Sequence, residues 1–267
     1  MKKMMAAVAT SVCALGLFVG SDAVAGSLPS EYQEVEYIES TSGQFFDTGV
    51  VINENHELQF KYAMLAISAY KGPFGTYISD DHNATRVMAR NGSTTSLAVS
   101  FMTKASGGNT VFEGVTAKAG DIVEGYMNYN RARFNDVEQD LAHTTFGTAD
   151  TSTLKLLGRS GYSTSIRLYY FRILENGEAA HDYVPCYLRS DVTKVGLYDV
   201  IGNEFYTASG LRKGEDVYRN CVIVSGDPQN YAAAGSPVYG FVEKSVGDTV
   251  ELTAPEGMVE VSDGVRA

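Results

Sequence analysis

The stretch IRLYYFRILENG, Ile166–Gly177, decides the fold class. Apolar and polar side chains exchange places along Ile166-Arg167-Leu168 and again along Phe171-Arg172-Ile173, the two-residue period of a strand with one wet face. The run closes on Asn176-Gly177, two residues that tolerate the positive φ angles of a tight hairpin turn. A strand followed by a reversal is the reading. The same alternation recurs at Glu34–Glu39, His56–Tyr62 and Arg131–Asn135. Ser42-Gly43, Gly72-Pro73, Asn91-Gly92, Gly107-Gly108, Ala119-Gly120 and Gly202-Asn203 punctuate the intervals as turns. About a dozen short strands with frequent turns make an all-β sandwich or barrel of antiparallel sheets, here over residues 28–211.

Composition agrees. Of 267 residues, 27 are Gly and 17 are Tyr, while only 6 are Pro. Tyr, Thr and Val suit a pleated, half-buried surface, and Gly suits the turns between strands. The net charge is −11 and the pI about 4.8. Such a surface repels phosphate backbones and anionic headgroups, which argues against nucleic acid as a partner.

The N-terminus reads as an export signal over residues 1–25. Lys2 and Lys3 precede an apolar run from Met4 to Val19, and Ala23-Val24-Ala25 supplies the small-residue cleavage site. The run is short for a membrane span, and no later one is long enough. Cys13 lacks the flanking residues of a lipoprotein signal. The expectation is an exported bacterial protein, extracellular, at the cell surface or periplasmic. Export leaves Cys186 and Cys221, which either pair as a disulfide or stay as two free thiols.

Residues 212–237 read as a short strand and a Gly/Pro/Asn-rich linker. Alternation then resumes over residues 238–267, for example Val250-Glu251-Leu252-Thr253. About thirty residues cannot close a core alone. That tail reads as an incomplete second β-module, or else as a hairpin docked on the first domain.

Two blocks carry a family resemblance. Leu28-Pro29-Ser30-Glu31-Tyr32 … Val35-Glu36-Tyr37-Ile38-Glu39-Ser40-Thr41 … Asp47-Thr48-Gly49 resembles the opening of a module found in bacterial surface and phage tail-associated proteins. Tyr183-Val184-Pro185-Cys186, Gly196-Leu197-Tyr198-Asp199 and Phe205-Tyr206 resemble its closing block. The resemblance implies a concanavalin A-like, laminin-G-like jelly roll of two antiparallel sheets. It supplies no catalytic residues. The tail is similar to the start of bacterial Ig-like or β-repeat domains. Between Ala63 and Ala119 the chain departs from the family pattern.

His181, Cys186 and nearby aspartates suggest a Cys-His-Asp nucleophile, but a separation of five places His181 and Cys186 on opposite faces of a strand. A core-facing cysteine at a strand end is the preferred reading. Glu138-Gln139-Asp140-Leu141-Ala142-His143 has two of the three acids of a glycosidase run and His where the last should stand, so a retaining pair is missing. Asp80, Asp81 and Asn83 offer the carboxylate and amide oxygens that Ca²⁺ takes, and laminin-G-like modules carry such an ion at a rim. The same four-residue run, Asp80–Asn83, also suits a plain turn. For glycan contacts the candidate exposed rings are Tyr126, Tyr129 and Tyr162; the chain has no Trp. The functional expectation is a non-catalytic surface module that binds glycan or protein, as in adhesion. The alternatives are a structural spacer or display domain and, behind it, a glycoside-active enzyme.

Overall fold

The computed structural model describes residues 28–41, 43–90, 96–115, 118–158 and 164–217. The export signal, Tyr162, Cys221, the rest of the linker and the C-terminal module lie outside the described residues. Among the described residues seventeen strands follow in chain order. They are β1 Tyr32–Glu34, β2 Ile38–Ser40, β3 Phe46–Val51, β4 His56–Met64, β5 Phe74–Gly75 and β6 Asn83–Ala89. Next come β7 Ser96–Lys104, β8 Thr110–Glu113, β9 Ile122–Asn128, β10 Arg131–Phe134, β11 Val137–Asp140 and β12 Thr153–Leu156. The last are β13 Ile166–Glu175, β14 Glu178–Leu188, β15 Asp191–Asp199, β16 Glu204–Thr207 and β17 Arg212–Lys213.

The strands form two sheets with antiparallel pairing. The first runs β11-β10-β9-β4-β13-β14-β15-β16, with β1 beside β14 and β2 between β13 and β17. The second runs β3-β12-β5-β6-β7-β8. The described residues are all-β and form a two-layer sandwich. Among the described residues no helix is long and apolar enough to cross a membrane.

The hairpin read at Asn176-Gly177 forms as expected. Asn176 has φ 54° and Gly177 φ 86°, and Glu175 pairs with Glu178 across the turn. The turn before β16 places Asn203 at φ 56°. One sequence expectation is corrected. Glu34–Glu39 is not one continuous strand: it breaks at Glu36 into β1 and β2. Pairing explains the break. β14 leaves β13 at Tyr183, and β1 then pairs with Cys186–Leu188 while β2 takes over the vacated edge of β13 at Ile166–Leu168. The Glu36 N–H is satisfied by Glu215 O at 2.9 Å, so the break leaves no orphan donor there.

Aromatic rings hold the layers together. Phe60 of β4 lies 4.9 Å from Phe74 of the second sheet and 5.4 Å from Phe134 of β10, centroid to centroid. Phe74 meets Phe171 edge-on at 4.9 Å. All four rings are fully buried. Each contributes about 1.5–3 kcal/mol of burial plus the favourable tilted or edge geometry.

Candidate functional site

The suspected Cys-His-Asp site resolves first. Leu197 and Val195 belong to the inter-sheet core, and they pair with Pro185 and Tyr187. Cys186 pairs with Gly196, so it points to the other face of the first sheet. There Tyr32 packs on Tyr198 at 4.7 Å and on Phe205 at 4.9 Å. Cys186 is 0% exposed. This corrects the expectation of a core-facing cysteine: it is buried, but outside the inter-sheet core. Burial pushes its thiol up to about 12, so it is no nucleophile near neutral pH. Its proposed partner Cys221 lies outside the described residues.

His181 faces the inner side, beside Ile173 of the core. Its Nδ1 lies 2.6 Å from Asp199 Oδ2, and its ring stacks on Tyr183 at 5.8 Å. Asp199 Oδ1 accepts the backbone N–H groups of Asp182 and Ile201, each at 3.1 Å. Burial alone would raise the Asp199 carboxyl. The hydrogen bonds from His181 and from the backbone of Gly202, Asp182 and Ile201 outweigh it and hold the group below its ordinary range. The pair ties β14 to the β15–β16 turn.

The glycosidase-like run is also structural. Glu138 and Asp140 lie on edge strand β11, and both reach Arg131 of β10, at 2.8 and 3.3 Å. Alternation puts the two acids on one face, where the guanidinium joins them.

A different juxtaposition stands out at one end of the sandwich. Tyr129, in the turn after β9, packs against the core, and His143 stacks on it at 4.1 Å with an interplanar angle of 16°. The His143 Nε2–H donates to the Tyr129 carbonyl. Phe146 then stacks on His143 at 6.2 Å and 13°. Tyr129 is therefore the foot of a column whose outer ring is Phe146, 55% exposed. Tyr126 lies elsewhere, on the outer face of the first sheet beneath Arg133, whose guanidinium is 5.6 Å from its ring centre.

The segment carrying Phe146 is laced to the Asp80–Asn83 loop. Thr148 N–H donates to Asp81 O at 2.9 Å, Asn83 N–H to Thr148 O at 2.7 Å, and Gly147 N–H to Asn83 Oδ1 at 2.7 Å. Gly147 is required by this approach: a Cβ there would lie 2.1 Å from Asp81 O. The oxygens proposed for Ca²⁺ have protein partners. Asp80 accepts from Tyr77 Oη at 3.0 Å, Asp81 pairs with Lys104 at 3.0 Å, and Asn83 takes Gly147. Among the described residues no three His, Cys, Asp or Glu side chains gather as a metal set. The loop thus supplies polar groups beside Phe146, with the Asp81 side chain 84% exposed.

Near the same end lies a groove that sequence reasoning missed. The outward residues of β7 are small: Ser96, Ala98 and Ser100. They are flanked by longer side chains, Arg86 and Met88 on β6 with Arg90 just after it, and Val111 and Glu113 on β8 with Asn109 just before it. Over Ala98, between Met88 and Arg90 on one side and Asn109 and Val111 on the other, lies a pocket of about 220 Å³. Tyr70 joins its wall, 51% exposed, held beside β6 by Tyr70 N–H to Ala89 O and Ala89 N–H to Lys71 O. The alternation Ser96-Leu97-Ala98-Val99-Ser100 was the signal available in the sequence.

No protein-family model and no curated protein matches the chain.

Proposed function

We propose that this protein is an exported, non-catalytic surface module that binds glycan, built as a concanavalin A-like, laminin-G-like jelly roll. The observation that supports this most is the Tyr129–His143–Phe146 column beside the Asp80–Asn83 loop. A sugar ring has an apolar face of C–H groups and a polar rim of hydroxyls. An exposed ring next to carboxylate, amide and ammonium groups complements both. The carboxylates of Glu138 and Asp140 are paired with Arg131, and the His181–Asp199 pair has Cys186 on the opposite face of the sheet. Neither arrangement assembles a nucleophile with its base.

The test is a glycan array probed with the mature exported chain, paired with a hydrolysis assay on every glycan that binds. Retention of at least one glycan class without turnover is expected. Absence of binding across the array would favour the spacer or display role, and turnover would refute the non-catalytic reading.

A further inference from the structure

We infer that the pocket over Ala98 is a second sugar contact, separate from the Phe146 column, and that it takes one neutral sugar ring. This inference rests on the glycan reading above.

Side-chain size builds the pocket. Leu97 and Val99 of β7 belong to the inter-sheet core, so Ala98 between them points outward. Its register partners, Met88 on β6 and Val111 on β8, share that face. A methyl group between two longer side chains leaves a depression of about 220 Å³. Met88 and Ala98 are buried and set its depth, so the walls and ends must make the contact. Two pairs close it along the strand. Arg90 and Glu113 stand at one end, joined at 3.1 Å, and Ser100 and Asn109 at the other, joined at 2.5 Å. The site is short. It falls below the roughly 300–1,000 Å³ of a drug-sized ligand pocket, which suits a single ring rather than a chain.

Tyr70 supplies the aromatic wall, half-exposed at the rim. Its backbone lies in the left-handed region at φ 64°, which is uncommon for a bulky side chain. The surroundings hold it there. Tyr70 N–H donates to Ala89 O at 3.2 Å, and Ala89 N–H donates to Lys71 O at 3.0 Å. Gly72 approaches β6 so closely that a Cβ would stand 1.7 Å from Val87 O. These contacts press the segment onto β6 and fix Tyr70 beside the pocket. Strained residues held by their neighbours collect at ligand clamps. An aromatic face kept in place at a rim is what the C–H face of a sugar stacks on.

The polar ends select the class of ligand. Arg90 offers guanidinium N–H donors and Glu113 an accepting carboxylate side by side. Vicinal hydroxyls match such a pair: one accepts from the guanidinium while its neighbour donates to the carboxylate. Asn109 adds an amide at the opposite end. A carboxylate on the sugar would compete with Glu113 for the same guanidinium, on a chain of net charge −11. A neutral ring meets matched groups instead. The site also stands apart from the column. Phe146 is not among its lining residues, and the Ser100–Asn109 pair closes it on the side of the loop that follows β7. That loop in turn bonds to the Asp80 segment, Ser106 N–H donating to Asp80 O at 3.1 Å.

The experiment labels the alanine methyl groups of the mature chain with carbon-13 and follows Ala98 by NMR as glucose, galactose, mannose or galacturonate is added. At least one neutral hexose should shift the Ala98 methyl to saturation. Tyr70→Ala and Arg90→Met should each weaken that titration by about tenfold, the worth of one stacking or charged contact. Arg90→Met acts from an exposed position and serves as the second route should Tyr70→Ala disturb its segment. Phe146→Ala should leave the titration within about twofold of wild type, since the two contacts are separate. A titration unchanged in both Tyr70→Ala and Arg90→Met would overturn the pocket as the site. Its loss in Phe146→Ala would overturn the separation of the two contacts. Tighter binding of galacturonate than of galactose would overturn the neutral class. An Ala98 methyl unmoved by every hexose, with array glycans still held through Phe146, would overturn the second contact and leave the glycan reading standing. An unmoved Ala98 methyl together with an empty array would remove the glycan reading and this inference with it.

Discussion

His181 Nδ1 and Asp199 Oδ2 stand 2.6 Å apart at the rim of the inner face, while the cysteine five residues along the same strand points to the outer face. Asp199 is 1% exposed and accepts hydrogen bonds from His181 and from backbone N–H groups at the β15–β16 turn. Asp199→Ala leaves those donors unpaired in the interior. The expected loss is about 3 kcal/mol in urea unfolding at pH 7. The folded carboxyl lies below its ordinary value of 3.8, so its contribution is full above that pH and is lost as pH falls through the folded value. The stability difference between wild type and Asp199→Ala should therefore shrink only in strong acid. A difference that shrinks between pH 7 and 5 would contradict this assignment.

His56 behaves in the same direction at a higher pH. Burial lowers its pKa below 6.5; Glu175 opposes and His181 adds to the effect. Its neutral Nδ1 accepts the Asn53 N–H at 3.1 Å. A depressed folded pKa means that the unfolded chain binds the proton first, so stability is lost as pH drops from about 6.5. His56→Gln keeps an acceptor and removes the titration. Its stability curve should be flatter than wild type between pH 6.5 and 5, and identical slopes would refute the role.

Cys186 should resist modification. With its thiol pushed up to about 12, almost no thiolate exists at pH 8. Iodoacetamide followed by peptide mass mapping should leave Cys186 unlabelled in the folded chain and label it fully in guanidinium. Rapid labelling of the folded chain would place it in a reactive setting instead.

Gly125 marks a close approach of β9 and β10. A Cβ there would lie 1.8 Å from the Arg133 carbonyl oxygen. Gly125→Ala forces the strands apart beneath Phe134 and should cost about 2–4 kcal/mol. A melting temperature unchanged from wild type would show that the strands do not approach so closely.

These outcomes separate what was legible in the sequence from what was not. Strand β13 and its Asn176-Gly177 turn were readable because period and turn chemistry are local. The opposite faces of His181 and Cys186 followed from strand parity, which the intervening residues preserve. The break at Glu36 was not readable: it is set by β14 yielding its place beside β13, a partner exchange between distant segments. Phe146 carried no signal, since His143-Thr144-Thr145-Phe146 has no strand period and gains its meaning from Tyr129 across the turn. The pocket over Ala98 stayed hidden because its lining comes from segments distant in sequence, Tyr70, Met88–Arg90 and Gly107–Val111. Tyr129, a candidate exposed ring in the sequence, is the partly buried foot of the column.

The central claim is that the exposed ring of Phe146 is a glycan contact. The most direct measurement is a calorimetric titration of wild type and Phe146→Ala with the glycan that scores highest on the array. The account predicts a loss of at least about tenfold in affinity for Phe146→Ala, roughly the worth of one stacking contact, with the unfolding midpoint unchanged. Unaltered affinity in a folded Phe146→Ala chain would contradict it.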